Sequence, residues 1–327
     1  GVKYHKLMID EQASLTMPWH KLRDGLREKQ RNSKVGTTGR GVGPTYADRV
    51  ERVGLLVKDL LSADFEKIVQ KEVAIQNQYY SLNLKTKKIT TQYEIYKSRI
   101  KKYIGKTVPV LKLAQIQKKN ILFEGAQGYF LDIDSGTYPF VTSSNPGVVG
   151  VFRSFDIHPS KISDVIGITK AYTTRVGNGP MPTKIEGSLA QKIIDVGREV
   201  GTTTGRVRSP GWLDLVLLKE AAEVNNLTSL AITKLDVLSG ILKIKLCMSY
   251  KLNGRPTPYI GHDGDLLAKV QPQYVEMPGW QEDISKIRSF ESLPKNAKSY
   301  IRTIEKHTNV PVKFISVGPK RGQVIYR

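Results

Sequence analysis

Short apolar runs alternate with amphipathic stretches along most of this chain. Residues 120–124 (NILFE), 165–171 (VIGITKA), 230–233 (LAIT) and 312–317 (VKFISV) read as buried strands, the last returning at 323–326. Residues 241–250 alternate over a longer span and predict a hairpin turning near Gly254. Between these runs, helical spacing predicts helices over 60–79, 91–106, 211–225 and 296–307. In the third of these, Leu213, Val216, Leu217, Ala221 and Val224 fall on one face. Strands alternating with helices imply an α/β fold with a large, mostly parallel sheet flanked by helices. Each strand candidate runs into a polar, glycine-rich loop, and open α/β sheets bind ligands at those ends.

Composition narrows the class without fixing it. The 327 residues are 39% hydrophobic and 25% charged, as in a water-soluble globular protein, and are read as one large domain over 1–327. No run of about 18 apolar residues occurs, which argues against a membrane span. Cys247 is the only cysteine, so no disulfide can form within the chain, in keeping with a cytoplasmic location. It lies in the alternating strand and is read as a core thiol. The formal charge of +21 invites a nucleic-acid reading. About half of that excess sits in a basic helical excursion over 82–120, with eleven Lys or Arg against the single acid Glu94. There Tyr93, Tyr96, Ile100, Tyr103 and Ile104 form an apolar face with the lysines opposite, the pattern of a solvated helix. No zinc spacing, aromatic RNA motif or helix-turn-helix accompanies it, so nucleic acid is not the expected partner.

The loops carry the chemistry. Residues 200–214 (VGTTTGRVRSPGWLD) pack hydroxyls, a glycine and two guanidinium forks into a nearly acid-free loop that feeds a helix, suited to an anion. Residues 35–48 (VGTTGRGVGPTYAD) offer free backbone N–H groups around closely spaced glycines, suited to phosphate. In 123–145 (FEGAQGYFLDIDSGTYPFVTSSN), the Gln127 amide suits a base edge, and Thr142 to Ser144 could hold a phosphate. Asp132 and Asp134 lack a third ligand and read as loop caps before metal ligands. The string 233–236 (TKLD) follows an apolar strand. A carboxylate there can accept from the N1–H and N2 amine of guanine, while a lysine stem lies on the base.

Together, in this order, the loops resemble the adenylosuccinate synthetase family, the GTP-dependent ligases that join IMP and L-aspartate on the way to AMP. The strings VGTTGRGVGPTYADRV, FEGAQGYFLDIDSGTYPFVTSSN, KAYTTRVGNGPMPT, GTTTGRVR with GWLD, TKLDVL, YVEMPGW and ISVGP carry the resemblance from Gly36 onward. It implies a P-loop GTPase-like architecture enlarged by helical and hairpin elements. It implies IMP contacts from Thr38, Arg52, Gln127, Thr142 and Arg206, with Arg52 reaching across a homodimer interface. The aspartate loop would comprise Thr202, Thr203, Thr204, Gly205, Arg206, Val207 and Arg208. GTP would meet Arg208, Lys234, Leu235, Asp236, Ser316, Val317 and Gly318.

Two departures qualify what the resemblance carries over. Val207 stands where many members have another arginine, leaving the loop's charge to Arg206 and Arg208. The GDEGKGK-type and NAGH-type segments do not occur, and none of His5, His20, His158, His262 or His307 sits in a matching context. In the family those segments hold the general base, the general acid and the Mg²⁺ contacts. The chain opens on Gly1 rather than Met, and the expectation is an upstream portion carrying them. No catalytic or metal-binding residue is therefore assigned within Gly1–Arg327, and the chain alone is expected to be inactive. The alternatives are an enzyme split between two chains, or a non-catalytic nucleotide- or nucleic-acid-binding protein that keeps the site's shell.

Overall fold

The computed structural model describes residues 7–32, 34–201, 205–258, 261 and 263–327. The chain divides into two compact units: 1–125 with 142–144 and 153–156, and 126–141 with 145–152 and 157–327.

The first unit is mainly helical. It holds β1 (Ile9–Asp10), α1 (Pro18–Gln30), α2 (Val42–Glu51), α3 (Val57–Leu60), α4 (Phe65–Tyr80), α5 (Thr86–Ile100), β2 (Ile104–Gly105) and α6 (Thr107–Ile116). Its core joins Met17, Trp19, Leu55, Leu60, Phe65, Val69, Val73, Ile89 and Tyr93. Phe65, Val69 and Val73 recur every four residues, so α4 presents one apolar stripe to that core. The buried Tyr93 hydroxyl donates to the Thr16 carbonyl at 2.7 Å, which leaves its polar tip satisfied. Over 82–120 the predicted 91–106 helix is displaced: α5 begins earlier, at Thr86, and α6 follows after a break. α5 stops at Ile100, and Ile104 pairs in parallel with Ile9 in β2. Tyr93 is buried, while Tyr96 lies partly in water.

The second unit carries the sheets. After α7 (Val149–Phe155), whose last three residues are assigned to the first unit, come β3 (Ile166–Lys170), β4 (Thr173–Arg175), α8 (Gly187–Gly197), β5 (Ser209–Gly211) and β6 (Leu213–Asp214). Next are α9 (Leu215–Val224), β7 (Ser229–Thr233), β8 (Lys243–Leu252), β9 (Arg255–Thr257), α10 (Gly264–Leu267) and β10 (Gln271–Pro278). The chain closes with α11 (Lys295–Thr308), β11 (Val312–Ser316) and β12 (Val324–Tyr326). One sheet has the order β12-β11-β7-β3, with β11, β7 and β3 parallel and β12 antiparallel at the edge. The other runs β10-β8-β6, with β9 also on β8. The hairpin between β8 and β9 turns through Asn253 and Gly254, both at positive φ, the backbone that a tight two-residue turn needs. Ala190, Ile193, Ala222, Tyr300, Ile301 and Ile304 from α8, α9 and α11 pack with Leu230, Ile232 and Ile315 in one core. Cys247 is fully buried, and burial pushes its thiol up, as a core role requires.

The α/β class is present, but the large, mostly parallel sheet is not: the described strands form two small mixed sheets of four strands and two two-stranded pairs, β1-β2 and β4-β5. The segment 120–124 pairs with no strand among the described residues, and Leu122 is 85% exposed. A five-residue apolar run reads alike in and out of a sheet, because only a neighbour decides. The predicted 60–79 helix is cut at 61–64, between α3 and α4. The predicted 211–225 helix begins later, because Asp214 caps α9 by accepting from the Leu217 N–H.

Candidate functional site

In the second unit, two parallel strands end side by side. Lys170 of β3 stands opposite Thr233 of β7, and Ile315 of β11 opposite Ile232. The residues after Thr233 and Ile315 therefore leave the sheet at the same carboxyl edge. Lys234 takes a left-handed backbone, φ 59°, and a short 3₁₀ turn follows over Leu235–Leu238. Leu235 is fully buried and anchors that turn, leaving Asp236 half-buried at the rim. Burial raises the Asp236 carboxyl above its ordinary value, so a ligand that brings donors would be welcomed. On the neighbouring strand end, the Ser316 hydroxyl donates to the Gly318 carbonyl at 2.9 Å, and Val317 is buried. A Cβ on Gly318 would lie 2.5 Å from the Gln323 amide, which would have to swing aside to admit it.

The 200–208 loop is zipped at its base. Val200 and Val207 form an antiparallel bridge, Gly201 N–H donates to the Arg206 carbonyl at 2.8 Å, and Arg208 N–H donates to the Glu199 carbonyl at 2.9 Å. Gly205 lies at φ 66°. Thr202, Thr203 and Thr204 lie outside the described residues. Val207 is 58% exposed, so the valine that departs from the family pattern faces outward.

Glu199, which sequence reasoning missed, ties these pieces together. Its side chain is fully buried, and its carboxylate meets Lys170 Nζ at 2.8 Å, Lys234 Nζ at 2.7 Å and Arg208 Nη1 at 3.0 Å. The Tyr172 hydroxyl adds a fourth bond at 2.6 Å. Burial alone would raise this carboxyl; the donors from Lys170, Lys234, Tyr172 and Arg208 outweigh it and hold it down to about 2. Burial lowers Lys170 to about 8, against the pull of Glu199. The signal was the position of Glu199, the one acid flanking an otherwise basic loop.

The first unit has its own anion-type loop. Residues 35–41 enter α2 at its amino end, where backbone N–H groups point outward. Two acids of α1, one turn apart, hold that loop: Glu28 accepts from Gly36 N–H at 2.6 Å, and Asp24 from Gly41 N–H at 3.0 Å. Gly41 is obligatory, since a Cβ would come within 2.8 Å of the His20 backbone and φ is 77°. Thr38 is exposed on this loop, and Arg52 is exposed where α2 ends, in a left-handed turn. Thr142 belongs to the same unit, as does Ser143, whose Oγ lies 3.3 Å from where a Gly43 Cβ would sit. Gln127 and Arg206 belong to the second unit, where Gln127 is exposed with φ 65°.

The adenylosuccinate synthetase family profile matches residues 1–325. The chain belongs to the adenylosuccinate synthetase family. The enzyme of Clostridium novyi is 43% identical over 333 residues, covering 99% of this chain and 78% of that protein. That of Halothermothrix orenii is 44% identical, covering all of this chain and 78% of its own length. The solved structure of the fully ligated adenylosuccinate synthetase from Plasmodium falciparum superposes with a TM-score of 0.95 at 34% identity. It covers 98% of this chain, which spans 78% of it. The family comprises GTP-binding ligases of purine biosynthesis.

His5 and His262 lie outside the described residues, and two of the described histidines, His20 and His158, are held in local contacts of this member of the adenylosuccinate synthetase family. His20 Nε2 lies 2.9 Å from Asp48, which also receives Arg23 at 2.7 Å. His20 Nδ1 accepts from the Met17 N–H at 2.8 Å, which leaves the Nε2–H to Asp48, and the ring is 1% exposed. Burial opposes the charge of Asp48, but the bonds from His20 and Arg23 hold its carboxyl below the usual value. This is a sealed structural network. His158 caps a 3₁₀ turn by accepting from the Ser160 N–H. Asp132 accepts from the backbone of Asp134 and Ser135 and from the Asn145 amide, which also bonds Asp134. Those two acids are loop caps. Among the described residues no three His, Cys, Asp or Glu side chains converge.

Proposed function

We propose that this chain supplies the substrate-binding residues of a cytoplasmic, GTP-dependent ligase that joins IMP and L-aspartate. The observation that carries this reading is the pair of adjacent strand ends bearing Lys234, Asp236 and Ser316–Gly318, in a chain that superposes on a family member at 0.95.

Each residue has a physical task. Asp236 accepts from guanine N1–H and the N2 amine, with Lys234 along the base and Leu235 seating the turn beneath it. Ser316, Val317 and Gly318 close over the other side. Thr38, Gln127, Thr142 and Arg206 hold IMP, and Arg52 does so from the partner of a homodimer. The loop of Thr202 to Arg208 binds the aspartate carboxylates through hydroxyls and guanidinium forks. Because these donors are committed to the carboxylates, the lone pair of the unprotonated amine stays available for attack.

The chemistry needs such positioning because the C6 oxygen of IMP is a poor leaving group. Loss of the N1 proton lets the C6 oxygen take the γ-phosphoryl of GTP, giving GDP and a 6-phosphoryl intermediate; the aspartate amine then bonds C6, gives up a proton and expels phosphate. Arg206 and Arg208 neutralise part of the charge on these anions. Mg²⁺ bound with GTP would neutralise further phosphate charge.

The loop offers the direct test. Loss of one charge-assisted hydrogen bond costs about 1.5–3 kcal/mol. Arg206→Leu or Arg208→Leu, in the ligase that carries this chain, should lower kcat/KM for aspartate by roughly one to two decades. Arg206→Leu should also impair IMP, and Arg208→Leu should impair GTP. Normal aspartate kinetics in both variants would refute the assignment.

A further inference from the structure

We propose that Glu199 is a positioning residue that fixes the aspartate-loop arginine and the guanine-site lysine to one buried carboxylate, so that the two subsites are set together. The proposal rests on the substrate roles given above to Arg208 and Lys234.

The two oxygens divide the work. Oε1 takes Lys234 Nζ at 2.7 Å and the Tyr172 hydroxyl at 2.6 Å. Oε2 takes Arg208 Nη1 at 3.0 Å and Lys170 Nζ at 2.8 Å. The backbone fixes the carboxylate in turn. Glu199 N–H donates to the Ile194 carbonyl of α8, and the Glu199 carbonyl accepts from Arg208 N–H, both at 2.9 Å. Arg208 is thus gripped twice by one residue. Lys234 is steadied by a second bond to the Gly197 carbonyl at 2.6 Å. Gly197 has no room for a side chain, because a Cβ would lie 2.4 Å from the Tyr172 hydroxyl. Glycine there lets that hydroxyl reach Glu199.

Stability is a poor explanation for this cluster. Three cations converge on one carboxylate, leaving a formal surplus of two positive charges. Buried ion pairs are frequently no better for stability than apolar packing. The Lys170, Arg208 and Lys234 side chains keep 23%, 30% and 31% of their surface exposed, against 0% for Glu199. An inner anion with outward-facing cations is the arrangement that holds cationic groups in place for an anionic ligand without neutralising them.

The test measures KM for GTP and for aspartate, with kcat and Tm, in the ligase that carries this chain. Glu199→Gln removes the charge that holds both cations and should raise both KM values about tenfold or more, with a smaller change in kcat. In an Arg208→Leu background the same substitution should no longer move the aspartate KM, since the cation it acts through is gone. Tyr172→Phe loosens only the Oε1 side and leaves the charge intact, so it decides the question should Glu199→Gln fail to fold. It should raise the GTP KM several-fold, with the aspartate KM within about twofold and Tm nearly unchanged. Arg208→Leu and Lys234→Ala serve as controls: if neither moves any KM, the substrate assignment fails and the proposal with it. If both controls act while Tyr172→Phe leaves the GTP KM unchanged, or Glu199→Gln lowers only Tm and kcat, the positioning role is overturned and the substrate assignment stands.

Discussion

Nucleotide choice should turn on one carboxylate. Asp236 sits half-buried after β7, on a turn anchored by the fully buried Leu235. Burial raises its carboxyl above the ordinary value, the mark of a charge that lacks full solvation. Guanine supplies two donors to it, N1–H and the N2 amine. Asp236→Asn keeps one acceptor and turns the other position into a donor, which faces the N2 amine donor to donor. One charge-assisted bond is lost and another becomes a clash. At about 1.5–3 kcal/mol for the first and a comparable amount for the second, the loss is about 3–6 kcal/mol. That corresponds to roughly two to four decades in kcat/KM for GTP. Xanthosine triphosphate keeps N1–H and carries an oxygen at C2, so the asparagine amide matches it. The assay is kcat/KM for both nucleotides at saturating IMP and aspartate, in the ligase that carries this chain. The variant should reverse the preference. An unchanged ratio of GTP to xanthosine triphosphate would show that the base is read elsewhere.

Other consequences are open to measurement. Burial raises the Asp214 carboxyl from 3.8 to about 6, despite bonds from Tyr250 and the α9 backbone. A raised folded-state value means stability present at low pH and lost as pH rises through about 6, here about 3 kcal/mol. Denaturant unfolding of Asp214→Asn against the parent should show the variant's relative stability improving by about that amount from about pH 3.5 to about pH 7; a pH-independent difference would contradict it. Mixing Arg52→Ala with an Arg206-inactivated variant should restore part of the activity, because a hybrid dimer contains one site with both arginines. No recovery, with subunit exchange demonstrated, would remove Arg52 from a shared site.

Much of the fold was legible where local pattern and turn chemistry agreed. The strand 241–250, its turn at Gly254 and the terminal helix were visible because alternation, a glycine turn and a strong amphipathic stripe each point one way. Several helices escaped as defined elements, among them α1, α2, α6 and α8. α1 begins on a proline and carries the buried polar residues His20, Arg23 and Asp24, so its inner face does not look apolar. α2 holds a glycine and a proline, and α6 a proline. In α8, Leu189, Ile193 and Val196 are spaced helically, but the run is short and opens on a glycine. β10 escaped because two prolines frame it, although it pairs with β8 along its full length. The loops that define the family were legible as strings. Glu199 was not, because its role depends on Lys170 and Lys234, twenty-nine and thirty-five positions away in sequence.

The central claim is best tested by following adenylosuccinate formation from IMP, L-aspartate, GTP and Mg²⁺, with ATP in place of GTP as the comparison. The ligase that carries this chain should form product with GTP, releasing one GDP and one phosphate per adenylosuccinate, and form little with ATP. Product formation independent of GTP would contradict the guanine site.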